Sequence, residues 1–337
     1  MGVPLMPIVT KREPCSSFLT IHNDVGLTLI LSSRGASVYA VIYKGKVLTM
    51  APEDKTVFLG DPIQFYGQTI GPIALRVKGS KYKVGEREFA FPPNEAPNAN
   101  HSSSWNWGFR DFGYTVEENE AGFRVVFTLE DKPDPKVGVP AHVEVAYSLS
   151  RDYPMFHLDY DIVPEEDGFF RPTNHIYWNL GVPQVAKLKL ELPAYAHLGY
   201  DRRFLPLEDT LALDDTFNFH EARPLGDHLM DPDLQNHPVK GYDHCFLLNP
   251  GEIVLESEEL RMRLRTSGKA VQIYTDNYAV IGQELFGQGK HERFAGVTFE
   301  TLYADPRQTQ PIRAGSHLTL TNVYTFDEIA EKANPNQ

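Results

Sequence analysis

Between Met155 and Val163 the apolar side chains fall on every second residue: Phe156, Leu158, Tyr160 and Ile162 alternate with His157, Asp159 and Asp161. A period of two matches a strand with one face buried and the other wet, and it lays no continuous stripe on a helix. The same strand-like character recurs in Leu19–His22, Leu27–Leu31, Ser37–Tyr43, Phe123–Leu129, His142–Leu149, Lys187–Leu192 and Leu318–Tyr324. Turn formers such as Asn23-Asp24, Arg34-Gly35 and Lys44-Gly45-Lys46 separate the early runs as they would separate hairpins. Many short strands with 25 Gly and 25 Pro predict an all-β chain, an antiparallel sandwich or barrel. Helical periodicity is scarce and predicts one helix, Asp327–Lys332. No fixed-period repeat is present, which disfavours propellers and solenoids.

A length of 337 residues is compatible with one large all-β domain or two smaller ones. The net charge of −13, with no Lys/Arg block, argues against a nucleic-acid or anionic-membrane partner, because such surfaces are bound through cations. A small or neutral partner fits better. Cys15 and Cys245 are the only cysteines; they are far apart, so neither a disulfide framework nor zinc-type spacing is expected, which suits a reducing cytosol. The N-terminal Met1-Gly2-Val3-Pro4-Leu5 has no secretory pattern, and no window approaches the roughly eighteen unbroken apolar residues of a membrane span.

Five polar residues stand out against this background. His175, within Thr173-Asn174-His175-Ile176-Tyr177-Trp178-Asn179-Leu180, reads as an imidazole held on an extended segment, a geometry that suits an acid catalyst and equally an ordinary hydrogen-bonded histidine. Glu300 lies in Ala295–Tyr303, with Val297, Phe299, Thr301 and Tyr303 on one face of the strand and Thr298, Glu300 and Leu302 on the other. A carboxylate in so apolar a strand must be paired, hydrogen-bonded or reactive. Arg76 follows the mostly apolar Tyr66–Leu75; its five donors call for acceptors, supplied by sugar hydroxyls or by a structural ion pair. Asp243, in Gly241-Tyr242-Asp243-His244, can accept two hydroxyl hydrogen bonds or serve as a turn residue. His101 sits in the polar tract Phe91–Ser104, too polar for core and too long for a tight turn, where a solvated histidine would be ordinary and functional loops are common. Trp105 and Trp107 follow it, and they either pack inward or form a stacking platform for a sugar face.

Three of these segments, Asn174–Leu180, Gly241–His244 and Gly296–Thr301, resemble in order the signatures of the aldose 1-epimerase (galactose mutarotase) family, with Gly108-Phe109 and Leu205-Pro206 at places where the family has such pairs. The resemblance covers most of the chain. It implies a single large antiparallel β-sandwich with a cleft built from strand side chains. It also implies His175 as the general acid on the sugar ring oxygen and Glu300 as the general base on the anomeric hydroxyl, with Arg76, His101 and Asp243 holding the sugar. The chain departs from the family at Pro72 and Leu75, where Arg and Asn are usual, and at Ser102 and Ser103, where two glycines are common. These departures point to a sugar preference different from the commonest members.

The implied reaction opens the ring by protonating its oxygen and deprotonating the anomeric hydroxyl, then recloses it on the other face. It requires no redox step and no phosphate transfer, so an acid and a base suffice, without metal or nucleotide. The arrangement expected is an imidazole and a carboxylate facing each other across a gap about as wide as one pyranose. A sugar-phosphate epimerase of the same superfold would want an Arg/Lys cluster, and none surrounds these motifs. A sugar-binding module would not need the acid and base together. Oligomeric state and the preferred aldose are not legible in the sequence.

Overall fold

The predicted alternation resolves into a nine-stranded antiparallel sheet. The computed structural model describes residues 18–60, 63–236 and 239–329. In spatial order the sheet runs Gly113–Asn119, Gly122–Asp131, Ala141–Ser150, Met155–Pro164, Leu318–Glu328, Leu260–Thr266, Ile253–Glu256, Lys189–Glu191 and Arg223–Pro224. In Met155–Pro164 the apolar set Phe156, Leu158, Tyr160 and Ile162 is buried, while His157, Asp159 and Asp161 are half-exposed. One face is therefore core and the other is solvated, as a period of two requires.

A second sheet behaves differently. Its order is Tyr177–Trp178, Val297–Leu302, Ala270–Tyr274, Asp243–Leu248, Ala194–Tyr200 and Pro206–Leu211. Every residue of Asp243–Leu248 and of Val297–Leu302 is buried, so these strands are covered on both faces. Phe246, Val271, Ile273, Val297 and Phe299 join Leu158, Tyr160 and Ile162 in one apolar cluster, which makes the two sheets a sandwich. A four-stranded sheet, Phe18–His22, Leu27–Ser32, Ser37–Tyr43 and Lys46–Val47, adds Leu27, Leu29, Leu31, Val38 and Val41 to the same core.

Two expectations need correcting. Asp327 and Glu328 are not helical; they end the strand Leu318–Glu328, paired with Arg261 and Leu260, and the rest of the predicted helix, from residue 330, lies outside the described residues, as does Cys15. The ladder along Leu260–Thr266 outweighs the local helical preference. The tract Phe91–Ser104 is not excluded from the interior, because Asn98, Ala99, His101, Ser102 and Ser103 are buried. Of the two alternatives for the tryptophans the structure takes inward packing: Trp107 is fully buried with its Nε1–H donating to Asp131 Oδ2 at 2.7 Å, and Trp105 packs half-buried against the same core.

Among the described residues the buried Asp131 carboxylate accepts from the indole of Trp107 and from Arg110 Nη1 at 3.3 Å. Replacing Trp107 by Phe leaves that carboxylate short of a donor and is expected to cost about 1–3 kcal/mol, read as a lower urea midpoint at unchanged slope. An unchanged midpoint would show that Asp131 does not depend on the indole.

Candidate active site

The period of two that buries the core also assembles the site. Antiparallel register places Gln272 opposite Glu300, Tyr274 opposite both Thr298 and Asp243, and Cys245 opposite Gln272. Directly paired residues share a face, so Asp243, Cys245, Gln272, Tyr274, Thr298 and Glu300 all stand on the side of the six-stranded sheet turned away from Phe246, Ile273 and Phe299. The alternation read for Ala295–Tyr303 holds: Val297 and Phe299 enter the main core and Glu300 points the other way.

His175 reaches the same place by a different route. It does not lie within a strand but at the joint between two short ones, Thr173–Asn174 paired with Thr69–Ile70, and Tyr177–Trp178 paired with Val297–Thr298. Its backbone is fixed on both sides, since its N–H donates to Gln68 O at 3.0 Å and its carbonyl accepts from Gly67 N at 3.0 Å. Asn174 reinforces the joint through Nδ2 to Gly67 O (3.1 Å) and Oδ1 from Ile176 N (2.9 Å).

His175 Nε2 lies 3.6 Å from Glu300 Oε1, with both side chains almost fully buried. This corrects the expected separation: the acid and base are not a pyranose apart but adjacent. Adjacency suits the implied chemistry better, because the ring oxygen and the anomeric hydroxyl are bonded to one carbon. Beside the pair opens a cavity of about 370 Å³ lined by His175, His101, Arg76, Asp243, Phe65 and Tyr274, among others. Four of the five predicted residues therefore line one cavity, and Glu300 lies beside His175 at its edge. His175 Nδ1 and Glu300 Oε2 are buried without a hydrogen-bond partner among the described residues, the kind of deficit that marks a ligand site more often than a core.

The flanking polar groups hold one another. Arg76 donates through Nε to Glu95 Oε2 (2.6 Å) and through Nη1 to Asp243 Oδ2 (3.4 Å), and its guanidinium lies 4.9 Å over the Phe204 ring. The ion-pair and the pocket-lining alternatives for Arg76 thus both occur. Asp243 also accepts from Gln272 Nε2, whose Oε1 in turn accepts from Tyr200 OH at 3.1 Å. Gln272 went unread in the sequence, although a lone amide in Ala270-Val271-Gln272-Ile273-Tyr274 is the same signal that singled out Glu300. His101 takes the Leu75 N–H at Nδ1 (3.2 Å), so the neutral ring carries its proton on Nε2.

Burial dominates the electrostatics. It pushes Glu300 well above the ordinary carboxylate range, a rise that the Asp243 charge augments, and it lowers His175 to about 3. His101 is held well below the usual histidine range by burial, with the guanidinium charges of Arg76 and Arg171 adding to the effect. Asp243 is raised by burial against the pull of Arg76 and Gln272. For Arg76 burial opposes the charge, but Asp243 and Glu95 outweigh it. For the Glu300–His175 pair burial thus favours the carboxylic acid beside a neutral imidazole.

His101, His175 and Glu300 have ligating atoms within 4.8 Å of one another, the spacing of a three-ligand metal site. The donor set does not fit one, because a ligating imidazole donates through its other nitrogen, whereas His101 Nδ1 accepts and Nε2 bears a proton rather than a lone pair. Pro72, Leu75, Ser102 and Ser103 are absent from the described cavity lining, so the altered sugar preference expected from these departures has no direct contact to act through.

With the geometry in place, the fold is that of the galactose mutarotase-like sandwiches. The solved galactose 1-epimerase of Lactobacillus acidophilus NCFM matches with a TM-score of 0.85 at 23% identity, covering 96% of this chain and 98% of that one. The sequence profile of the aldose 1-epimerase family matches residues 17–306, and the chain belongs to that family. Galactose mutarotase from Mus musculus is 26% identical over 285 residues, covering 78% of this chain and 79% of the relative. Aldose 1-epimerase from Escherichia coli (strain K12) is 24% identical over 337 residues, covering 91% and 94%.

The depressed His175 sets a pH dependence of stability. The fold keeps this ring neutral down to about pH 3, while the unfolded chain takes up a proton near 6.5, so the stabilising contribution is present above 6.5 and is lost as pH falls. Taking pH from 7 to 5 is expected to cost the wild type about 2 kcal/mol more than His175→Gln, measured by urea denaturation at each pH. Equal losses in the two proteins would place the His175 pKa at its ordinary value.

Proposed function

We propose that this protein interconverts the α- and β-anomers of a free aldose, a hexose such as galactose or glucose, as a cofactor-independent aldose 1-epimerase acting in the cytoplasm, with the described sheets serving as one catalytic unit. The observation that carries this reading is the 3.6 Å approach of His175 Nε2 to Glu300 Oε1 at the wall of a cavity of about 370 Å³, within the range of small-molecule pockets. Cys245, buried and unpaired, agrees with a reducing compartment.

His175 donates a proton to the ring oxygen while Glu300 takes the proton of the anomeric hydroxyl. The C1–O5 bond breaks, the C1–O1 bond becomes the aldehyde carbonyl, and the C1–C2 bond turns. The reverse steps then close the ring on the other face and restore both groups. One proton on the pair is sufficient throughout. Burial favours that proton on Glu300, and sugar hydroxyls donating to Glu300 favour its ionised form and so the transfer to His175. Asp243, Arg76 and the Nε2–H of His101 hold the remaining hydroxyls, while C1 stays free to rotate.

A sugar-phosphate substrate is disfavoured. Among the described residues lining the cavity Arg76 is the one Lys or Arg, and its donors are already shared between Glu95 and Asp243.

Polarimetry tests the reading directly. Freshly dissolved α-glucose or α-galactose should reach equilibrium rotation faster with the wild type than in buffer. Glu300→Gln should abolish the acceleration, and His175→Asn should reduce it about 10²–10⁴-fold with the fold retained. A wild type that binds sugar but accelerates no free aldose would make the protein a binding module instead.

A further inference from the structure

The segment Ile73–Arg76 is joined to Asn100–Ser102 by a short zip of backbone and side-chain bonds. Arg76 pairs with Asn100 in the two-stranded ladder. Next to it His101 N–H donates to Leu75 O at 3.2 Å, and Leu75 N–H donates to His101 Nδ1 at 3.2 Å. The last tooth is Ser102, fully buried, whose hydroxyl accepts the Ile73 N–H at 2.8 Å and donates to the Ile73 carbonyl at 3.0 Å.

This zip closes only in a backbone conformation that its residues resist. Leu75 (φ 60), His101 (φ 51), Ser102 (φ 59) and Ser103 (φ 54) all occupy the left-handed region, and none is glycine. A run of three such residues is rare, because each β-carbon crowds the following carbonyl. Strain of this kind persists only where the surroundings over-determine the conformation. Here the Ser102 hydroxyl is the group in position to do so, as it saturates both polar groups of one residue, Ile73, from across the zip. Three residues of the zip, Arg76, Asn100 and His101, line the cavity wall.

We infer that Ser102 is a positioning residue: its two bonds to the Ile73 backbone hold the left-handed turn that sets the ring of His101 against Leu75, fixing its proton on Nε2 and aiming that donor at the cavity. Ser102 does not itself line the cavity. The role deepens the reading of the cavity as a sugar site and rests on it for its effect on affinity. The effect on the His101 tautomer does not depend on that reading.

The test uses the full chain. Long-range ¹H–¹⁵N correlation of the histidines, with His101→Gln to assign the signal, should show wild-type His101 solely as the Nε2–H tautomer. Ser102→Ala removes the hydroxyl and leaves the left-handed strain; it should give a mixture of tautomers and raise KM for a free hexose about tenfold, the worth of one hydrogen bond from His101 to the sugar, with kcat little changed. Ser103→Ala, in the same turn but without bonds to Ile73, should move neither. Should Ser102→Ala not fold, Ser102→Cys, which keeps the size of the side chain and puts a weak donor and acceptor in place of the hydroxyl, replaces it. Should no aldose be turned over, the catalytic reading has failed on its own, and the hexose dissociation constant by calorimetry takes the place of KM. A wild-type His101 bearing its proton on Nδ1 overturns the inference. So does a Ser102 variant in which either the tautomer or the hexose affinity stays as in the wild type.

Discussion

Everything at the cavity follows from a carboxylate that the sheet has taken out of water. Glu300 stands in the middle of Val297–Leu302, a strand buried on both faces, and a carboxylate in such a place cannot stay ionised without compensation. One oxygen accepts a long hydrogen bond from Thr298 Oγ1 at 3.4 Å, and the other has no partner among the described residues. A core that only needed stability would hold leucine at this position, since an apolar residue of similar size carries no desolvation penalty. The arrangement makes sense when a polar molecule completes it, and the neighbouring imidazole, with its own unsatisfied nitrogen, has the same deficit.

The sheet alone does not build the site, because His175, His101 and Arg76 all come from outside it. They meet because one stretch, Gly67–Arg76, is pinned from two sides. On one side it pairs with 171–175, through Thr69 and Ile70 against Asn174 and Thr173, and through Ala74 N–H to Arg171 O at 2.8 Å. The Arg171 side chain returns to the same residue, with Nε and Nη2 donating to Ala74 O at 2.9 and 2.7 Å. On the other side lies the zip to residues 100–102. Gly67 makes the entry feasible: at φ 62, a β-carbon there would sit 1.9 Å from Val38 O, a distance no side chain can occupy. A carboxylate from a rigid sheet thus meets groups from a stretch that is stitched rather than folded into regular structure, which is where the local strain has collected.

This division explains what could be read from the sequence. Strands announce themselves through alternation, so the sandwich and the outward aim of Glu300 were legible in residues 155–163 and 297–303. The same rule, applied with equal attention to Ala270–Tyr274, would have picked out Gln272. Burial of the loop Phe91–Ser104 was not legible, because Asn98, His101 and Ser102 are polar and enter the interior on long-range hydrogen bonds, such as those to Ile73 and Leu75, that leave no periodic trace. The indole of Trp107 was ambiguous for a similar reason: its partner, Asp131, lies on a separate strand. The end of the last strand misled in the opposite direction, since Asp327 and Glu328 have helical character locally and are held extended by a neighbour some sixty residues earlier, across Arg261 and Leu260. The spacing of acid and base was misjudged by picturing a whole sugar between them, when the chemistry involves two oxygens on a single carbon.

The charge state of the pair gives this spacing its consequence. Two groups 3.6 Å apart and almost fully buried, one acid raised by burial and one base lowered by it, favour a neutral couple that stores a proton without carrying net charge. Separating that proton into imidazolium and carboxylate is costly for buried groups and becomes cheaper once hydroxyl donors surround the carboxylate. A sugar brings such donors, whereas an apolar ligand of the same size does not. The burial that looks like a penalty on catalysis therefore acts as a selector, keeping the reactive charge-separated form rare until a polyhydroxylated ligand is in place. It also explains why Asp243 is restrained by Gln272 and Arg76 rather than left free: a mobile second carboxylate would raise Glu300 further and hold the proton where the ring oxygen cannot use it.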